Sequence, residues 1–465
     1  MKKRTVIVLI ILLVAAIAAG GGVLGWKLHY QNTHVFVEGT AYEKDLTHLD
    51  LRGTGVSMDY YEQVRAALPD CQIRYDLPFQ GGFYSDDTQE LTITSLTDEE
   101  IAQLDYLPDL KTVHAEACTD YPQLLALAQR RPECQVLYQV SIFGKDYPQD
   151  TKELSFGSEK LDLSQLTEAL AWLPKMETVS FDQPTNPAQE LIDLKNAFPQ
   201  VDIRWEKDAF GKTYASDVTE IDLTDLRIET LEPVEEAMAY YPALEKVILS
   251  NAGPDERHPI DNETMAAFRE KMRPSYKVVW TVQINYLKVR TDETYFMPAK
   301  HHAVVTNFQV QNLKYCEDMV CVDLGHMAIQ DISFVEYMPH LKYFIVIDAP
   351  LMYIDAISTC KELIYLEFFW TWINDYTPLL GCTALEDLNV ARTNGDILTF
   401  KDMPWLKNLW VDGWRISESN KQILNEALPD TFIKYCDGEM TANGWRDLPN
   451  YFAMRDYLGM PYNRW

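Results

Sequence analysis

Seven residues in the C-terminal third carry the side chains best suited to recognition: Tyr343, Tyr365, Glu367, Phe369, Trp370, Arg392 and Trp410. Tyr343 and Tyr365 lie 22 positions apart, as do Ile347 and Phe369, so a chain coiling once per 22 residues sets each pair side by side. Aromatic rings grouped on a rigid surface anchor proteins and sugars without covalent chemistry. Other groups support no chemistry of their own. His301 and His302 adjoin, but no Glu-x-x-His, Cys-x-x-Cys or spaced His pair accompanies them, and strand neighbours point opposite ways, so no metal site is expected. Gly211-Lys212-Thr213 looks like the end of a phosphate loop, yet the motif's first Gly would fall at Glu206, and Phe143-Gly144-Lys145 repeats the same turn. There is no G-x-S-x-G and no Cys in a setting that suggests a catalytic thiolate, so neither a catalytic residue nor a cofactor is assigned. With 70 Asp and Glu residues, carboxylates will approach one another by chance, and no glycosidase pair can be singled out. The alternative reading is a secreted, carboxylate-dependent enzyme acting on glycans or cell-wall polymers, its pair lodged in the irregular half of the chain.

The elements that must position the seven residues follow from apolar spacing. Met319, Leu341, Leu363, Leu385 and Leu406 open five similar segments, 22, 22, 22 and 21 residues apart. Three and five positions later come Val322/Leu324, Phe344/Val346, Leu366/Phe368, Leu388/Val390 and Leu409/Val411. One short strand and its return segment cannot bury an apolar face alone, so neighbouring copies stack and share a core. Side chains alternate along each strand, which turns Ile345, Ile347, Asp387 and Asn389, with the seven residues above, toward the outer, concave face or its edge. Such a patch either meets a partner or is covered, by the aromatic tail folding back or by a second subunit.

A longer repeat precedes this array. Pro, then a β-branched residue and an aromatic, recur at 69–75, 132–138, 199–205, 274–280 and 429–435. Between them lie strand-like pieces and helical stretches that end at Pro, a β-α alternation. Gly-based turns follow in PFQGGF, SIFGKD and DAFGKT.

The segment VCVDLGHMAIQDISFVEYMPHLKYF is similar to the short bacterial leucine-rich repeats of the internalin type, L-x-x-L-x-L-x-x-N-x-I-x-D-I-x-x-L, with Val322, Leu324, Ile329, Asp331 and Ile332 on the motif. The period holds over 316–429. The resemblance implies an exported or surface-bound protein that binds protein or glycan partners through its concave strand face. Two departures stand out: Met327, Ala349, Thr371 and Thr393 fill the Asn slot, and the rest of the array is irregular.

Residues 5–26 carry no charge and follow Lys2, Lys3 and Arg4, enough helix to cross a hydrocarbon layer of roughly 30 Å. They predict a single-pass anchor with the N-terminus inside and the repeats outside; a cleaved signal peptide is the alternative. The net charge of −29 repels phosphate and disfavours nucleic acid. Cys316, Cys360 and Cys382 share a repeat position with Met338 and Met403, which reads as buried free thiols, with Cys360 and Cys382 the best candidate pair for a disulfide. The expected organisation is an α/β leucine-rich-repeat solenoid: anchor 1–30, divergent repeat units 31–285, an irregular connector 286–318, a regular array 319–435 and an aromatic C-terminal cap 436–465. Its expected role is non-covalent recognition or scaffolding at a bacterial cell surface.

Overall fold

The computed structural model describes residues 30–254, 259–413, 416–437 and 444–461. The expected anchor, 5–26, lies outside them, and among the described residues no helix is long and apolar enough to cross a membrane. The chain forms two compact units, residues 1–205 and 206–465. The expected boundary at 285 is therefore not a packing boundary. One continuous apolar core runs from Ala209 to Leu428, so the divergent repeats after 206 and the regular array are buried together despite their different periods.

In the first unit, antiparallel hairpins alternate with short parallel strands. The hairpins are His34–Val37 with Thr40–Glu43, Asp76–Phe79 with Gly82–Ser85, and Gln139–Ile142 with Lys145–Pro148. Each closes through two residues of positive φ: Glu38-Gly39, Gln80-Gly81 and Phe143-Gly144. Two left-handed residues in a two-residue loop match the twist of the flanking strands, which is why Gly recurs there. Between the hairpins run parallel sets such as Glu90–Thr92, Thr112–His114 and Gln135–Leu137. Helices Met58–Ala67, Tyr121–Arg130 and Ala188–Ala197 cover them and stop at Leu68, Arg131 and Phe198, each with ψ of 68–73°. Each stop precedes a proline, whose ring forbids the helical conformation to the residue before it.

The second unit repeats the plan. Residues 206–209 pair with 212–215 through Phe210-Gly211, so this Gly is a turn residue, as its sister copy predicted. Glu220–Leu223, Lys246–Leu249 and Lys277–Val279 follow as a parallel set. The expected irregular connector is instead structured: Thr281–Ile284 pairs with Leu287–Arg290, and Tyr295–Phe296 opens the next sheet. Its pattern is hidden because Asn285-Tyr286 replaces the Gly turn and Tyr295 pairs with Cys321, 26 positions on rather than 22.

The regular array is a seven-stranded parallel sheet, continuing through Cys321–Asp323, Tyr343–Ile345, Tyr365–Glu367, Asp387–Asn389, Asn408–Asp412 and Phe432–Cys436. Val322, Phe344, Leu366, Leu388 and Leu409 pair in register, each fully buried. Short 3-10 segments such as Ser333–Tyr337 and Asp355–Thr359 form the returns. The slot expected to hold Asn is filled differently: the hydroxyls of Thr371 and Thr393 donate to the carbonyls of Phe368 and Val390, doing locally what an Asn row would do. Cys316, Met338, Cys360, Cys382 and Met403 are all fully buried, and all eight cysteines are free thiols, Cys360 and Cys382 included.

One return is packed tightly enough to predict a cost. A Cβ on Gly395 would lie 2.5–2.8 Å from three atoms of the Tyr376 ring. That ring is buried and stacked on Phe400 at 4.7 Å, so it cannot swing away. Gly395→Ala is expected to destabilise by about 1–3 kcal/mol through overpacking, read as a lowered urea midpoint.

Candidate functional site

The sheet has two faces, and the outer one was expected either to meet a partner or to be covered by the aromatic tail or a second subunit. Tyr343 and Tyr365 do sit side by side in register. The patch itself is closed: Tyr365, Glu367, Phe369 and Trp410 are 0–4% exposed, Tyr343 and Arg392 are half-buried, and Trp370 alone of the seven is exposed, at the edge. The cover is the C-terminal segment. Its described part, Trp445–Asp447 and the helix Pro449–Tyr457, packs on this face, the aromatic tail folding back over the patch.

The physical reason is aromatic and apolar complementarity. Trp445, fully buried, packs on Tyr365 with ring centroids 4.9 Å apart and on Trp410 at 5.2 Å. Tyr457 meets Tyr343 at 6.5 Å, and Met454 and Leu458 complete an apolar cluster distinct from the array core. Hydrogen bonds between sheet side and tail include Asn450 Nδ2 donating to Glu386 Oε2 (3.1 Å) and Lys300 Nζ donating to the Leu458 carbonyl (2.9 Å).

Polar matching is poorer. Glu367 Oε1, Asp387 Oδ2, Asn389 Nδ2, Trp410 Nε1 and Trp445 Nε1 are buried without a hydrogen-bond partner. Three of these residues form one row, since Glu367 pairs with Asn389 and Asn389 with Trp410 in register. Burial pushes the Glu367 carboxyl up to about 7, against the opposing pull of Trp445 and Arg446. Asp323 and Asp387 are likewise pushed upward by burial. Glu367 and Asp387 are buried on the covered face, while Asp323 is half-buried.

The exposed edge beside this face went largely unread in the sequence. His326, Asp348, Trp370 and Arg392 occupy equivalent positions, 22 apart, and all four have φ of 53–61°. The His326 imidazole meets Asp348 Oδ2 at 3.2 Å, and the Arg392 guanidinium lies 5.1 Å from the Trp370 ring centre. Trp370 is 47% exposed, and Trp372 and Tyr353, both missed, are 59% and 71% exposed. The Trp370-x-Trp372 alternation just past a strand was the signal that could have found them. Among the described residues, no group of three or more His, Cys, Asp or Glu is placed to hold a metal ion.

No protein-family model and no curated protein sequence matches the chain. Among solved structures it is similar to an internalin from Listeria monocytogenes, at 13% identity over 68% of this chain and 89% of that one, with a TM-score of 0.23. A second Listeria monocytogenes internalin, internalin C2, matches at 12% identity over 58% and 87%, with a TM-score of 0.21. A leucine-rich-repeat protein of Leptospira interrogans matches at 11% identity over 74% and 93%, with a TM-score of 0.23. The 22-residue register, the in-register parallel strands and the shared core define the architecture: the chain folds as a leucine-rich-repeat solenoid.

Proposed function

We propose that this is a membrane-anchored, extracytoplasmic recognition or scaffolding protein of a bacterium that captures a partner non-covalently through the exposed edge of its array. The single observation that carries the reading is the column His326, Asp348, Trp370 and Arg392, four non-glycine residues held in the left-handed region at equivalent positions. That backbone costs an L-residue on the order of 1–2 kcal/mol, and Gly would adopt it freely. Keeping an imidazole, a carboxylate, an indole and a guanidinium there favours a use for the side chains. The exposed Trp370 and Trp372 supply large rigid contact area of the kind that anchors partners. The uncharged run at 5–26 supports the anchor and the outward placement of the repeats. A protein partner is favoured, with a glycan as the other class the same rings would hold.

The paired substitution Trp370→Gly with Trp372→Ala tests this cleanly. Gly relieves the left-handed backbone, so thermal stability is expected to hold or rise, while affinity capture from intact envelopes loses the partner. Unchanged capture by the doubly substituted chain would remove the edge from consideration. Protease treatment of intact cells reports the placement: degradation of the array outside supports it, and full protection contradicts it.

A further inference from the structure

We propose that the outer face of the array is itself a docking surface for a peptide segment bearing an aromatic residue next to an arginine, and that the chain's own Trp445-Arg446 segment occupies it as a releasable internal ligand. The inference is independent of the edge site, which shares none of the residues tested below.

A permanent cap is expected to satisfy the polar groups it buries, since an orphaned buried donor or acceptor costs the full desolvation of that group. This one does not. It fills the face in shape, through Trp445, Tyr451, Met454 and Leu458, and leaves Asn389 Nδ2 and Trp410 Nε1 unmet, with Glu367 Oε1 beside them drawn toward the Trp445 indole but short of a formed hydrogen bond, in one row across three adjacent strands. The row offers one acceptor and two donors. A helix spends its backbone groups on itself, whereas an extended peptide laid across the strands could meet all three. The tail's own polar ties are partly internal: the Arg455 guanidinium donates to the Pro461 carbonyl at 2.6 and 3.1 Å.

Charge sets the partner's class. The face carries Asp323, Glu367 and Asp387, and the tail brings Arg446 and Arg455, whose guanidinium groups act on Glu367 and Asp323. A competing segment must therefore be basic as well as aromatic, which also suits a chain of net charge −29.

The same geometry makes release depend on pH. The groups acting on Glu367 are Asp323 and Tyr365 on the sheet and Trp445 and Arg446 on the tail; Asp387 and Tyr451 act on Tyr365, and His326, Arg446 and Arg455 on Asp323. A closed value of about 7 against an ordinary 4.5 means the closed form holds a proton that the open form releases. Closure is therefore strongest below about 4.5 and weakens as pH rises through 7, by roughly 300-fold in the closing equilibrium for this one group.

The probe is a labelled synthetic peptide of residues 444–461, added to the full chain and to its Trp445→Ala variant. The variant is expected to bind it at least roughly tenfold more tightly, because its internal competitor is weakened and more of the face is free. A peptide carrying the same Trp→Ala change is expected not to bind. Absence of peptide binding to a variant whose array still unfolds cooperatively would overturn the proposal. Hydrogen exchange on the unaltered chain decides the case if the variant misfolds. Amides of the helix beyond Pro449, up to Tyr457, are expected to exchange while Tyr343–Ile345 and Tyr365–Glu367 stay protected, with tail protection falling between about pH 4.5 and 7 after correction for intrinsic rates. Exchange of the tail only together with those strands would make it a fixed cap and end the proposal.

Discussion

Leu388→Ala is expected to destabilise the 206–465 unit by about 2–5 kcal/mol. Leu388 is fully buried at the centre of the strand Asp387–Asn389 and pairs in register with Leu366 on one side and Leu409 on the other. Truncation removes its burial and leaves a cavity between two rungs that already pack their own leucines. The effect spreads because ordering each residue costs about 1–2 kcal/mol, so a repeat persists only through its neighbours. Here the neighbours belong to a core that runs without a break from Ala209 to Leu428. The loss should thus appear in the main cooperative transition in urea. A change below roughly 0.5 kcal/mol, the range of an ordinary surface substitution, would contradict the stacked core. Leu388→Met, which keeps the volume, should cost less than about 1.5 kcal/mol and serves as the control.

The core of the array was legible because a parallel in-register stack turns a spatial repeat into an equal spacing along the chain. Val322, Phe344, Leu366 and Leu388 are 22 apart in sequence and paired in space for the same reason. The hairpins of the first unit were legible as turns because two left-handed residues call for Gly at one of them. At Asn285-Tyr286 that marker is missing, and the hairpin there passed for irregular chain. Tyr365 and Glu367 were correctly turned away from the core, since alternation says which way a side chain points. It does not say what lies on top. The cover comes from residues such as Trp445, 80 positions beyond Tyr365, and Leu458, 158 beyond Lys300, and no local pattern encodes a contact at that separation. Of the edge, Trp370 and Arg392 were named and His326 and Asp348 were not, because the left-handed bend after each strand is a backbone property and the four residues share no side-chain chemistry that would mark it.

Glu367 makes the second large effect, and it is one of pH. Its carboxyl is 2% exposed, with Oε2 accepting from Tyr365 Oη at 3.3 Å and Oε1 unpartnered. Burial raises it from an ordinary 4.5 to about 7. Because the folded value lies above the unfolded one, its contribution is fully present below pH 4.5 and is lost as pH rises through 7. Integrated over that window, the covered face loses roughly 3 kcal/mol, at 1.36 kcal/mol for each unit between the two values. Glu367→Gln keeps the shape and stays neutral, so the variant should lack this loss. The measurable quantity is the difference in unfolding free energy between wild type and variant at several pH values, which cancels the titration of the many other carboxylates. That difference should shift in the variant's favour by roughly 3 kcal/mol between pH 4 and pH 8. A difference independent of pH would mean that the carboxyl ionises normally in the folded chain, and hence that the tail does not exclude water from the face it covers. If the shift is found and tail exchange follows the same curve, the destabilisation resides in the opening of the face; if it appears only in the main unfolding transition, the tail and the array are one cooperative body.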